Sequence, residues 1–309
     1  MTSNVKRSRT PGISATMVLD SRGPNGARLS TIELEAPRFI LAEINTHKML
    51  SRGSASSRAV SVPRMMAKVS SEPAEPVFWG ENQVGMSADH ELTGSRLDEA
   101  KRIWSAMREM ALQGVQRLHE LGLHKQLANR PIEPWMRHRM ITTATEWRPI
   151  LALREHKAAQ PEFRELARCV SDLLNDSTPQ ELDVLAPHVP YVTGYDEAEV
   201  IKEGERLGIP RLREMVSVAR CARVSYLYHD GVQRIEDDIP RYKKLLEMGH
   251  MGPMEHVAYA LGEESWRKIA TGAAQAWIED RVPVGNFWGW LQYRKTLLDE
   301  HNIALTWRS

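Results

Sequence analysis

The chain has 309 residues, 42% of them apolar and 26% charged, the make-up of a globular protein with one large domain or two ordinary ones. Its 41 basic and 40 acidic side chains leave a net charge of +1, which argues against a long polyanion as partner but leaves room for a local basic pocket that takes a small anion. Cys169 and Cys221 sit far apart among apolar residues at helical spacing, so they make neither a zinc site nor a disulfide framework and read as buried, reduced thiols.

The N-terminal MTSNVKRSRTPG lacks the apolar stretch of a secretory signal, and no run approaches the ~18 apolar residues of a membrane span. A cytoplasmic location is expected, the host cytoplasm if the chain is phage-encoded. Residues 15–37, with turn chemistry at GPNG and alternation through Thr31–Glu35, read as a β-hairpin. Apolar Ile40, Leu41, Ile44 and Met49 suggest a helix over 38–49, begun after Pro37. Residues 52–90 carry Ser, Pro and Gly with little periodicity and read as a long loop. Helices are expected at 95–121, 138–157 and 161–175. The Pro-rich stretch 177–196 is a candidate boundary, giving regions 1–180 and 181–309 of what reads as one intertwined catalytic domain. Further helical patterns run near 196–226, 236–249, 264–279 and 286–300. The expected fold class is α/β of the α+β kind, helix-rich with a mixed or antiparallel sheet.

Polar chemistry concentrates at residues 46–60, THKMLSRGSASSRAV, where His47, Lys48, Arg52 and Arg58 stand among hydroxyl side chains with little to bury. Such a run is either a lined anion pocket or a solvated loop. HELGLH at 119–124 fails as a zinc helix because the second histidine falls at i+5, with Leu123 in the ligand position. The tripeptide RHR at 137–139 is compatible with an exposed face, and no Gly-rich phosphate loop is present. In GHMGPMEHVAY (249–259), His250, Glu255 and His256 cluster after a candidate helix C-cap at Gly249; a cap followed by a turn and a strand explains them structurally.

Together these pieces resemble the flavin-dependent thymidylate synthases. APRFILAEINTHKMLSRGSASSRA (36–59) is similar in register to that family's Ala-Pro-x-Phe lead-in and R-H-R-x-x-S-x-N-E-x-S-x-R-Y motif, with His47, Ser51, Ser56 and Arg58 matching and Lys48 keeping a charge. LREHKAAQPE (153–162) resembles its L-R-x-x-x-x-A-Q-x-E, placing Arg154, Gln160 and Glu162, and ungapped counting back puts Arg137 on another family arginine. ARVSY (222–226) and GHMGPMEH (249–256) look like its A-R-V-S and H-x-x-P-x-E-H segments. In the family those two segments come first. Here they come last, so the chain reads as a divergent, circularly permuted, phage-type relative. QYR (292–294) sits where a degraded second R-H-R copy falls, with a Trp-rich packing helix as the plain alternative. Thr46, Gly53-Ser54 and Ala59 depart from the motif's Arg, Asn-Glu and Tyr.

The resemblance implies flavin-dependent one-carbon transfer to C5 of deoxyuridylate, with FAD, NADPH and 5,10-methylenetetrahydrofolate, in a homo-oligomer, a tetramer above all. It implies Arg58, Ser56 and Arg154 as the catalytic set. His47, Lys48, Ser225, His250, Glu255 and His256 fall to the cofactor; Ser51, Ser56, Arg58, Arg137, Arg154 and Gln160 fall to the nucleotide. No metal is expected. A hydroxymethylated product, deoxycytidylate as substrate, and an inactive nucleotide-binding homologue are the alternatives the departures leave open. A nucleic-acid-binding protein is a further one, which the near-zero net charge disfavours. The chemistry agrees with the residues: cysteine-dependent methylation needs an activated thiolate, and neither cysteine has neighbours that would activate one. A flavin removes that need, while arginine forks suit the phosphates and donors suit the pyrimidine carbonyls.

Overall fold

The computed structural model describes residues 5–7, 11–192, 195–224, 234–267 and 285–297. Its main sheet begins with β1 (Val5–Arg7), β2 (Ser14–Arg22) and β3 (Arg28–Pro37), and the hairpin expected at 15–37 is present, with β2 and β3 antiparallel across a turn at 23–27. A short 3-10 turn, Arg38–Ile40, leads into α1 (Leu41–Ile44), then β4 (Ser51–Ser54), α2 (Val62–Ser71), α3 (Gly94–Glu120) and α4 (Lys125–Ala128). β5 (Arg137–Ala144) inserts between β3 and β4, so the sheet order is β1-β2-β3-β5-β4. α5 (Arg148–Arg154) and α6 (Pro161–Asp176) follow, then β6 (Gln180–Glu181), which pairs in parallel with β2.

One face of this sheet is apolar. Ala15, Met17, Ile32, Leu34 and Ala36 alternate along the strands and pack against Phe163, Leu166, Val170 and Leu173, the buried stripe of α6. The other face is polar. The pairings Thr31↔Thr143 and Ser51↔Thr143 set three hydroxyls side by side across β3, β5 and β4. A second sheet covers them, formed by β7 (Pro187–His188), β8 (Ala258–Ala260) and β9 (Trp290–Gln292), all antiparallel. Leu29 of the main sheet shares an apolar cluster with Ala258, Ala260, Phe287 and Trp290.

The second half packs α7 (Tyr195–Leu207), α8 (Leu212–Val224) and α9 (Ile235–Glu247) around Val200, Val216, Ala219, Tyr242 and Leu245. α8 is buried nearly all round, including Arg220, whose Nε meets Asp238 at 3.0 Å and whose other nitrogens reach Tyr191 O and Asp196. Arg223 and Arg241 also meet Asp238, at 3.0 and 3.4 Å. Asp238→Ala is expected to cost about 3 kcal/mol, the low end for breaking a buried pair, because Arg220 keeps Asp196 and the Tyr191 carbonyl. Urea unfolding measures it.

Four sequence expectations fail on the fold. The helix expected over 38–49 stops at Ile44, where Thr46 Oγ1 turns back to donate to Glu43 O at 2.7 Å and competes with the helical ladder. The loop expected over 52–90 contains part of β4 and all of α2, whose Val62, Met65 and Val69 are buried at helical spacing. The first part of the helix expected over 138–157 is β5 instead; Met140–Ala144 are buried, as a central strand demands, and such a run carries no period. Within 286–300, residues Trp290–Gln292 are a strand and Tyr293–Thr296 a 3-10 turn, not a helix. The pattern at 264–279 falls mostly outside the described residues. Helices at 95–121, 161–175, 196–226 and 236–249 are found close to their expected bounds, the third as two helices, and both cysteines are buried and free. Among the described residues no helix is long and apolar enough to cross a membrane.

Candidate active site

β4 joins two polar groups. At its start the chain turns so that the His47 ring lies edge-on to Phe163 at 5.6 Å, and Arg154, at the end of α5, stacks on the same ring at 4.7 Å. Arg154 Nε donates to His47 Nε2 at 2.9 Å, so His47 carries its proton on Nδ1. Burial, and then the positive charges of Arg154 and Arg52, lower the His47 pKa and keep the ring neutral. Among the described residues the terminal nitrogens of Arg154 make only long contacts, 3.4 Å to Glu43 and 3.5 Å to Thr46 Oγ1. Arg52 locks this turn by donating to Ile44 O and His47 O at 2.9 and 3.0 Å. Gln160 stands at the N-cap position of the neighbouring α6 with no side-chain bond to its backbone, and its side chain donates to the buried Glu162 at 2.7 Å, which also accepts from Val77 N.

The second group lies under the opposite face of β4. Ser51 donates to Asn286 Oδ1 at 3.1 Å, and Gln292 bridges Asn286 and the Glu255 carbonyl. Glu255 pairs with Arg294 and opposes the burial that lowers the Arg52 pKa. His256 is fully buried on the 3-10 turn Gly252–His256, which follows Gly249 (φ 64°) at the end of α9, the cap, turn and strand the sequence suggested. Its Nδ1 bonds Thr143 Oγ1 at 2.9 Å, and its Nε2 is without a partner among the described residues. A cavity of about 220 Å³ opens there, lined by Gly53, Cys221, Ala222, His250, Pro253 and His256 among others.

Gly53, standing where the family motif has Asn, now has a physical reason. A Cβ there would lie 3.0 Å from Ile141 Cγ2 and 3.4 Å from His256 Nε2, so a side chain would fill the cavity from the strand side. Gly53→Ala is expected to lower stability by about 1–3 kcal/mol by overpacking, read as a drop in the urea midpoint.

The sequence candidates therefore divide. His47, Arg154, Ser51, Glu255 and His256 gather around β4, with Gln160 beside them at the α6 N-terminus, the exposed Lys48 in the connecting turn and the exposed His250 at the cavity rim. Ser56, whose Oγ accepts from Arg58 N at 3.3 Å, and the exposed Arg58 follow the other end of β4. Arg137 starts β5, packed over Gly12, and lies from Thr143 roughly 20 Å along the strand. Ser225 lies outside the described residues. Sequence reasoning missed Phe163, Asn286, Thr143, Thr31 and His188, and marked Gln292 only as the first residue of QYR. The signal available for Asn286 was its place just before a Trp-containing strand that ends in Gln292, and His188 hid in the Pro-rich stretch read as a boundary.

Burial pushes the Cys169 thiol up to about 11 and raises Cys221 further, so neither is a nucleophile at neutral pH. No cluster of three or more metal-ligating side chains occurs among the described residues.

A model of the thymidylate synthase complementing protein family matches residues 29–180, a span that holds His47, Ser51, Arg58, Arg137, Arg154 and Gln160 and ends before His188 and His256. No curated protein sequence matches the chain. Among solved structures it is similar to a UMP/dUMP methylase, PolB from Streptomyces cacaoi, crystallised with 5-Br dUMP, at 20% identity and a TM-score of 0.38, covering 48% of this chain and 66% of that one. The chain thus spans just under two thirds of that relative's length.

Proposed function

We propose, for a chain whose residues 29–180 match a model of the thymidylate synthase complementing protein family, the reductive methylation of deoxyuridylate at C5 to give thymidylate. Methylenetetrahydrofolate is the carbon donor, NADPH the reductant and FAD the cofactor. The carbon arrives at the oxidation level of formaldehyde and leaves as a methyl group. Two electrons from NADPH and the loss of the C5 proton complete the balance.

One observation carries this reading. Arg154, oriented by a neutral His47 and by Phe163, presents a cationic fork at the mouth of a polar strand in a chain with no reactive thiol. The fork suits a nucleotide phosphate or a pyrimidine carbonyl edge, and its loosely held terminal nitrogens are free to turn to an anion. His47 keeps the Arg154 Nε committed, so the plane of the guanidinium is set before ligand arrives.

A flavin supplies the redox step and relieves the protein of thiolate chemistry. The residues present fit part of one: the cavity at Gly53 has the breadth of a ring edge, not of a whole dinucleotide, and it offers an imidazole nitrogen that is unpaired among the described residues. His250 and His256, which line it, would hold the group there, with Glu255 on the same 3-10 turn as His256. Ser56, Arg58 and Arg137 sit at the far end of β5 from Arg154, which supports sites shared between copies in a homo-oligomer, with the tetramer favoured.

Tritium release from C5-tritiated deoxyuridylate tests the function. Release is expected only with methylenetetrahydrofolate, FAD and NADPH together. No release under those conditions overturns it, and release without flavin overturns the mechanism.

A further inference from the structure

Five side chains from five segments form one buried hydrogen-bonded line. Ser21 Oγ meets His188 Nδ1 at 2.8 Å, and His188 Nε2 meets Thr31 Oγ1 at 2.9 Å. Thr31 Oγ1 meets Thr143 Oγ1 at 2.8 Å, and Thr143 Oγ1 meets His256 Nδ1 at 2.9 Å. All five are at most 1% exposed. Burial drives both imidazoles down to about 3, so both rings are neutral at pH 7.

A line of this kind has two directions, because each hydroxyl brings one proton and each neutral imidazole one. If Ser21 donates, His188 donates from Nε2 to Thr31, Thr31 to Thr143, and Thr143 to His256 Nδ1. The His256 proton is then on Nε2. In the reverse direction His256 donates from Nδ1, and the line ends by donating into Ser21, whose own O–H is left buried with no acceptor among the described residues. That direction strands a donor at Ser21 and an acceptor at His256. The forward direction strands only the His256 Nε2–H, and does so where the 220 Å³ cavity can hold a ligand. Each direction strands one donor, but the reverse also leaves the His256 acceptor unmet, and only the forward direction puts its stranded donor at a cavity where a ligand can pair it, so the forward direction wins.

We propose that His256 enters the cavity as a fixed N–H donor, held in that tautomer by Ser21, His188, Thr31 and Thr143, and that the ligand atom opposite it is a hydrogen-bond acceptor such as a ring carbonyl or an unprotonated ring nitrogen. His188 is a positioning residue that acts through the two threonines without reaching the cavity. Only the identity of the ligand rests on the flavin reading; the tautomer does not.

Two-bond 1H–15N spectra of the full-length protein labelled with 15N-histidine, at pH 7, read the tautomer directly, with His256 assigned by its absence in His256→Gln. Wild type is expected to show both His188 and His256 protonated on Nε2. Thr143→Val cuts the line and is expected to replace the single His256 form by a mixture, and Thr143→Ser to restore it. A wild-type His256 protonated on Nδ1 overturns the proposal even if the valine variant does not fold, and so does an unchanged tautomer in a folded Thr143→Val. FAD added to wild type is expected to shift the His256 Nε2 signals. FAD bound by absorbance without that shift overturns the acceptor assignment. Absent FAD binding counts against the flavin reading and leaves the tautomer to decide this one.

Discussion

Arg154→Ala is expected to lower kcat/KM for deoxyuridylate on the order of 10²-fold or more, since each hydrogen bond to a charged group contributes about 1.5–3 kcal/mol and the fork makes two. The loss has a second part. Arg154 is also the donor that fixes His47 and one of the two charges that keep its pKa low. Without it His47 is free to rotate away from Phe163 and to take a proton nearer neutral pH. Arg154→Lys is expected to recover little, because an ammonium cannot bond His47 and present a planar pair of donors at once. Steady-state kinetics on the three proteins, with equilibrium binding of deoxyuridylate, check this. Unchanged binding in Arg154→Ala rules the residue out of the nucleotide site.

Acid is expected to begin destabilising the protein below about pH 6.5, before its carboxylates titrate. His138, His188 and His256 are buried and neutral, with burial holding their pKa values to about 4, 3 and 3. The sign is fixed by linkage. The unfolded chain takes up these protons below about pH 6.5 and the folded one does not, so stability is full above pH 6.5 and falls as pH drops. Each histidine contributes a slope of roughly 1.4 kcal/mol per pH unit, so three give about 4 kcal/mol per unit until the folded rings protonate near pH 3–4. Against a typical total of about 5–15 kcal/mol, that removes most of the stability by pH 4–5. Urea midpoints at pH 7, 6 and 5 measure the slope. His138→Asn, which can keep the bond to Ala36 O, is expected to reduce it by about a third. A flat profile between pH 7 and 5 contradicts the buried neutral state of all three.

How far the sequence could be read follows from where its periodicity was strong. α3 and α6 announce themselves by long amphipathic patterns, and the β2–β3 hairpin by its turn residues and alternation. β5 does not, because its residues from Met140 are buried on both faces and a continuous buried run looks the same in a helix and a strand. α2 was legible after all: Ser61, then Pro63, then Val62, Met65 and Val69 mark a start and a face, but the surrounding Ser and Pro drew the reading toward a loop. The grouping of His47 with Arg154 came through the family motifs and not through spacing. The His188–Thr31–Thr143–His256 line was out of reach, since only strand register puts Thr31 beside Thr143 and no local pattern encodes a contact 157 residues apart. Gly53 shows the converse, a departure from the motif that reads as loss in sequence and as space for His256 in structure.

The visible spectrum of the purified full-length chain, with FAD and then with NADPH and deoxyuridylate added in turn, tests the central claim most directly. A bound-flavin band that bleaches with NADPH and changes on adding the nucleotide is the expected result. A chain that binds no flavin, while still binding deoxyuridylate through Arg154, would contradict the account and leave a nucleotide site without the chemistry proposed for it.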